Sequence, residues 1–222
     1  MMKISNDTRN VLKNFSTINS GIRVKSGNTL ETISNMKNIL AVATIDESFP
    51  QDFSIYNLNE FLGATSLLDD ADYQFNDSSL TVTDSNTSLS YFYASEGMVT
   101  APDKMITMPD SEIKIDISSS LLSELQKAAS VLGVNDLILK SDGTKITLEV
   151  TDKKNTTSNT FSRIVGEGNG VSYTMNFKIE NLKLFAGDYD VEITSKGISK
   201  FSHTSINLQY FIATESDSTF GG

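Results

Sequence analysis

Near its start the chain sets apolar residues at Val11, Leu12, Phe15 and Ile18, steps of three and four that share one helix face. Ser5 stands just ahead of this stripe, where a hydroxyl can accept from an early helical N–H that has no partner within the helix. A second run of the same design begins at Ser118, with Leu121, Leu122, Leu125, Ala128, Ala129 and Leu132 as its apolar positions. Both read as amphipathic helices. Each is followed by a strand and a tight-turn signal, Val24-Lys25-Ser26-Gly27-Asn28 and Leu139-Lys140-Ser141-Asp142-Gly143. Alternating residues come next, Thr29 to Ser34 and Lys145 to Thr151, so a hairpin is expected in both places.

The repetition extends to residue identities. Phe53-Ser-Ile-Tyr-Asn57-Leu58-Asn-Glu-Phe61-Leu-Gly63 and Phe177-Lys-Ile-Glu-Asn181-Leu182-Lys-Leu-Phe185-Ala-Gly187 agree at six of eleven positions at a constant offset of 124. Strand alternation leads each copy into Asn, a capping residue, with Leu and then Phe three positions on; a helix is expected after both Asn57 and Asn181. The expected class is therefore α+β, with two diverged copies of one unit at 1–95 and 111–222 joined by a linker at 96–110. The linker holds Pro102 and Pro109, and proline's fixed φ and missing donor suit a segment crossing outside the sheets. Asp152 to Gly170, rich in Asn, Thr, Ser and Gly, has no counterpart in the first copy. It reads as a loop with a short strand around Phe161 to Val165.

Composition narrows the chemistry. The 222 residues allow one large domain or two of about a hundred. With no Cys there is no disulfide framework, thiolate nucleophile or Cys-bound zinc, and the lone His203 leaves too few imidazoles for triads or multi-His metal sites. Asp69, Asp70 and Asp72, or Asp188 and Asp190, are the carboxylates an enzyme or metal binder would use, but they fall at turn and hairpin positions and read as solvated. His203 likewise reads as a strand-surface residue. No phosphate-cradling Gly motif occurs, so no cofactor, metal or catalytic residue is expected. No apolar run of about 18 residues and no signal-like stretch appears, which points to a soluble chain without a membrane partner.

The formal net charge of −10 argues at first against nucleic acid. Its distribution changes that. Opposite the apolar stripe the first helix presents Asn6, Arg9, Asn10 and Lys13, and the second presents Ser120, Ser123, Lys127 and Ser130; Lys183 follows Leu182 in the expected fourth helix. Such faces are either simply solvated or follow phosphates without reading bases.

Residues 2–21, Ile55 to Gly63, Ala101-Pro-Asp-Lys104, Gly187-Asp-Tyr189 and Glu215 to Thr219 resemble the DNA sliding clamps, or polymerase processivity factors, of T4-like bacteriophages. The likeness spans nearly the whole chain and thins between residues 140 and 175. It implies the DNA-clamp fold, with antiparallel sheets outside and helices lining a hole, in a non-catalytic homotrimer whose subunits join head to tail around double-stranded DNA without sequence specificity. Lys3, Arg9, Lys13, Lys127 and Lys183 would face the DNA. Ser90, Tyr91 and Phe92 would meet Phe161, Arg163 and Ile164 of the next subunit, while Met105, Ile106, Met108, Tyr210 and Ile212 would line a pocket for the C-terminal peptide of the DNA polymerase and for late-transcription factors. An ATP-dependent clamp loader and the cytoplasm of the infected bacterial host complete the expectation. The alternative is a β-rich phage virion structural protein, suggested by many Ser, Thr and Asn, which would need neither the duplication nor a basic helix face.

Overall fold

The computed structural model describes residues 2–95, 97–104 and 106–221. The chain divides into two compact units, Met1–Met105 with Asn207–Gln209, and Ile106–Ile206 with Tyr210–Gly222. No helix among the described residues is long and apolar enough to cross a membrane.

The first unit runs α1 (Asn6–Ile18), β1 (Ile22–Val24), β2 (Gly27–Ile33), β3 (Ile39–Phe49), β4 (Phe53–Ile55), α2 (Leu58–Thr65), β5 (Asp72–Phe75), β6 (Ser79–Thr83) and β7 (Ser88–Phe92). Ser5 caps α1, its Oγ accepting from Thr8 N at 3.2 Å, and Asn57 caps α2, its Oδ1 accepting from Glu60 N at 3.1 Å. Both caps were legible because they are local. The α1 stripe is buried as its spacing requires, and Phe15 is fully enclosed, as are Leu30, Ile55, Leu58 and Leu80 elsewhere in this unit. β5, β6 and β7 form a three-stranded sheet, β2 pairs with β3, and β1 pairs with β4. The expected hairpin at Val24 to Asn28 is therefore corrected: this turn joins strands that pair elsewhere. Asp52 Oδ1 accepts from Ser26 N at 2.7 Å and Gly27 takes φ 111°, so the chain swings away from β1 instead of folding back on it.

The second unit runs β8 (Ile113–Ile117), α3 (Ser119–Leu132), β9 (Asp136–Asp142), β10 (Lys145–Thr151), β11 (Phe161–Glu167), β12 (Ser172–Lys178), a 3-10 turn (Ile179–Asn181), β13 (Tyr189–Ile193), β14 (Ile198–His203), β15 (Leu208–Ala213) and β16 (Thr219–Phe220). Ser118 caps α3 and Gly133, at φ 67°, ends it. One sheet has the order β11-β10-β9-β12-β16, and β15, β14, β13 and β8 lie side by side in another. Here β9 and β10 do form the expected hairpin. The two units repeat in register. Val24 lies opposite Phe53 as Leu137 lies opposite Phe177, and Met2 bridges to Tyr73 as Ile117 pairs with Tyr189.

The expected fourth helix is absent, replaced by the short 3-10 turn with no side-chain cap. Chain length explains the difference. Fourteen residues separate Asn57 from the start of β5, but only seven separate Asn181 from β13, too few for a counterpart of the eight-residue α2 and a return loop. The connection instead passes Gly187, pressed against His203. A Cβ at position 187 would lie 2.0 Å from His203 Nε2. That ring is held in place: Nδ1 accepts from Ser205 N at 3.1 Å, so Nε2 carries the proton toward Ala186 O at 3.2 Å, and the Tyr189 ring packs edge-on at 5.2 Å. His203 is thus a half-buried packing residue and not simply a surface one. Gly187→Ala should destabilise the protein by about 1–3 kcal/mol, the usual range for overpacking. Thermal or urea unfolding checks this, and His203→Ala in the same chain should return part of the loss.

Candidate functional site

The five bases expected on one surface do not present equally. Lys13 on α1 and Lys127 on α3 are exposed, each on the solvent side of a helix whose opposite side is buried. Their neighbours Asn10, Ser120, Ser123 and Ser130 are exposed as well, so small polar groups border each lysine, with Val131, one turn beyond Lys127, also exposed. Arg9 is turned back instead. Its guanidinium donates to Tyr73 OH at 2.6 Å and Thr65 Oγ1 at 3.4 Å and lies 5.7 Å from the Tyr73 ring centre. The helical spacing gave its side of α1 correctly but not this rotamer. Lys3 is ion-paired with Asp70, which raises the lysine pKa through that hydrogen bond. Lys183, expected on a helix, lies half-buried just beyond the 3-10 turn, and α2 carries no base.

A residue the sequence did not flag secures α1. Glu47 of β3 accepts from Ser5 N and from Thr8 Oγ1 at the helix start. Burial pushes this carboxyl upward, but the bonds from Thr8 and Ser5 outweigh it, and its pKa ends below the ordinary carboxylate value. Nothing in the local pattern of β3 could have named its partner, 42 residues away.

The expected junction residues fall on two strands at sheet edges. β7 is an outer strand of β5-β6-β7, and β11 an outer strand of its five-stranded sheet. Tyr93 N donates to Ser78 O at 3.1 Å just past the strand end. By antiparallel alternation Tyr91 and Leu89 then bond toward β6, while Ser88, Ser90 and Phe92 turn their N–H and C=O outward. Phe92 is 72% exposed and Ile164 of β11 is 61% exposed. Tyr91 faces inward: its OH donates to Glu60 Oε1 at 3.1 Å, its ring packs on Phe61 at 5.2 Å, and burial followed by the Glu60 carboxylate pushes its pKa up to about 12. On the β11 side, Arg163 Nε lies 3.8 Å from Glu124 of α3, and an open groove runs between these elements past Leu121, Ile164 and Val165, with Phe161 half-buried at the strand start.

The expected partner pocket is only partly realised. Ile106 is exposed and Met108 half-buried, while Met105 lies outside the described residues. Tyr210 and Ile212 are corrected: both are fully enclosed on β15, and Tyr210 OH accepts from Phe185 N at 3.0 Å, so they belong to the interior of the second unit. Alternation marked them as inward-facing but could not distinguish a pocket wall from a sealed core. The beginning of the linker is fastened by residues the sequence missed. Asn19 Nδ2 donates to Ile33 O and to Thr100 O, both at 2.9 Å, and Arg23 donates to Pro102 O at 2.8 Å.

Among the described residues no group of three or more His, Asp or Glu is arranged to hold a metal ion. Asp70 is occupied by Lys3, and Asp188 Oδ1 accepts from Ser119 N at 2.7 Å beside the α3 cap.

Both units of the chain are similar to known proteins. A family model described as DNA polymerase processivity factor matches residues 5–106, and one described as gp45 sliding clamp, C terminal, matches residues 114–216. A sliding clamp from Vibrio phage KVP40 is 36% identical over 96% of this chain and 99% of its own length. The sliding clamp of Enterobacteria phage T4 is 33% identical over 98% and 99%. In fold, the chain is similar to proliferating cellular nuclear antigen from Entamoeba histolytica, with a TM-score of 0.65 at 16% identity over 93% of this chain and 94% of that one. A virion structural protein is set aside by these matches, and the chain belongs to the sliding clamps, the DNA polymerase processivity factors of T4-like bacteriophages.

Proposed function

We propose that three copies of this chain close head to tail into a ring that encircles double-stranded DNA and carries no catalytic activity of its own. The observation that bears most weight is the pair of open edges, β7 in the first unit and β11 in the second. Internal duplication supports pairing them. By sequence order β11 corresponds to β3 and β15 to β7. Asn207 and the first two residues of β15, Leu208 and Gln209, pack within the first unit, where Asn207 O accepts from Thr44 N of β3 at 2.9 Å. The equivalent partner for β11 is then β7 of another copy. Such a contact joins two different surfaces, and it closes into a ring when its rotation divides the circle.

Lys13 and Lys127 face the DNA, with Arg9, Lys3 and Lys183 as lesser contributors because each is held by, or half-buried among, its own neighbours. Retention comes from topology; a polymerase tethered to a closed ring meets primer ends at a high effective concentration. The polymerase's C-terminal peptide binds at the linker through Ile106 and Met108, and late-transcription factors compete for the same residues. An ATP-dependent loader opens the ring in the cytoplasm of the infected bacterium. The test is the mass in solution together with polymerase stimulation on primed circular templates in the presence of the loader. Three copies and longer products are expected; a stable single copy at micromolar concentration, without stimulation, refutes the reading.

A further inference from the structure

The five-stranded sheet of the second unit has two sides, and the chain treats them differently. β11 is open. Along the outer side of β12 runs residue segment 215–221, of which β16 is part. Glu215 N donates to Asn176 O at 2.8 Å, Asn176 N to Ser218 Oγ at 3.0 Å, and Gly221 N to Ser172 O at 2.9 Å. Thr219 lies opposite Thr174 and Phe220 opposite Tyr173, whose rings stack 6.1 Å apart at 13°. Side chains fasten the same segment. Lys153 Nζ pairs with Asp217 at 2.8 Å, and Asn176 Nδ2 donates to Asp217 O at 3.2 Å and Oδ1 at 3.1 Å.

These bonds identify Ser172, Thr174 and Asn176 as the β12 residues whose backbone groups point away from β9. Without the segment they would form a row of three outward positions, as Ser88, Ser90 and Phe92 do on β7. Neither Ser172–Asn176 nor Ser88–Phe92 contains a charge or a proline, the residues that normally discourage strands from pairing at their edges. β11 differs, carrying Arg163 and Glu167, whereas the one charge on β12, Lys178 at its far end, is ion-paired with Asp136. A bare β12 would thus present a neutral five-residue stretch, Ser172–Asn176, matched in length and polarity to β7.

We infer that segment 215–221 is a guard strap, which closes the second side of this sheet to β7 of another copy and so confines pairing to β11. The inference rests on the head-to-tail reading above. A copy docked on β12 would not repeat the rotation that closes the ring, so it would yield open or branched assemblies.

The experiment measures solution mass by light scattering for the full chain, a chain ending at Thr214, and that shorter chain with Ser90→Pro. The shorter chain is expected to reach a weight-average mass about twofold or more above the full chain and to grow with concentration, and Ser90→Pro should abolish the excess. An unchanged mass with native circular dichroism overturns the inference. So does an excess that survives Ser90→Pro, because β7 is then not the occupant. If the shorter chain does not fold, Asp217→Lys with Ser218→Ala leaves the strap attached but removes two fasteners, and the same two criteria apply. A full-length chain of single-copy mass overturns the ring reading and not the strap, which the shorter chain tests by itself.

Discussion

A Ser90→Pro chain is expected to run at the mass of one copy and to give the polymerase no added processivity, while its own melting temperature and circular dichroism stay close to those of the unmodified chain. Ser90 lies in the middle of β7 with its N–H directed away from β6, so the proline ring removes a donor from the open side without taking a bond from the existing ladder. At each junction the facing acceptor is left unpaired, at a cost of about 1–3 kcal/mol, or roughly a 5- to 150-fold weakening. Closure of the proposed three-copy ring would need all three junctions at once, so the penalties would compound. Ser90→Thr, which keeps the donor and suits a strand, should retain the trimer. A Ser90→Pro chain that still has three-copy mass would show that β7 is not the junction.

Reversing the exposed helix bases is expected to have the second large effect. Lys13→Glu with Lys127→Glu inverts two charges per copy, six around a trimer, on helix faces whose other exposed residues include Asn and Ser. The amount of clamp loaded on nicked circular DNA should fall tenfold or more, on the order expected when phosphate attractions become repulsions, and the salt dependence of association should flatten by about 0.9 for each phosphate no longer neutralised. Mass in solution should not change, since neither lysine lies on β7 or β11. Arg9 is left out because it bonds Tyr73 and Thr65, and replacing it would mix a stability loss into the measurement. Undiminished loading would move the DNA surface away from α1 and α3.

What the sequence disclosed, and what it concealed, follows the range of the interactions concerned. Caps at Ser5, Asn57 and Ser118 and the stripes behind them are written within a few residues and were readable. The duplication was readable because Phe53 and Phe177 keep equivalent strand positions, opposite Val24 and Leu137. The missing helix after Asn181 was not, because its cap and face signals match those after Asn57, and the deciding factor is how soon β13 must begin. Of the candidate site, the exposure of Lys13 and Lys127 was legible from helical spacing alone. The bond from Arg9 to Tyr73 was not, because the two lie 64 residues apart, and the linker anchor Asn19 was missed because Thr100 lies 81 residues away. Distances of that kind become proximity only after folding.

The spacing of Lys13 and Lys127 among Asn and Ser bears on how the ring would travel. A dense, regular array of cations would lock into the phosphate repeat, and each step along the duplex would mean breaking several charge pairs together. A few cations per copy, Lys13 and Lys127 foremost and bordered mainly by groups that trade hydrogen bonds with water, would give a shallow corrugation instead, with individual barriers comparable to thermal energy, about 0.6 kcal/mol. Friction then stays low, and diffusion along DNA is governed by hydrodynamic drag more than by unbinding. For a protein that must remain on DNA without holding it still, the scarcity of positive charge is a mechanical property.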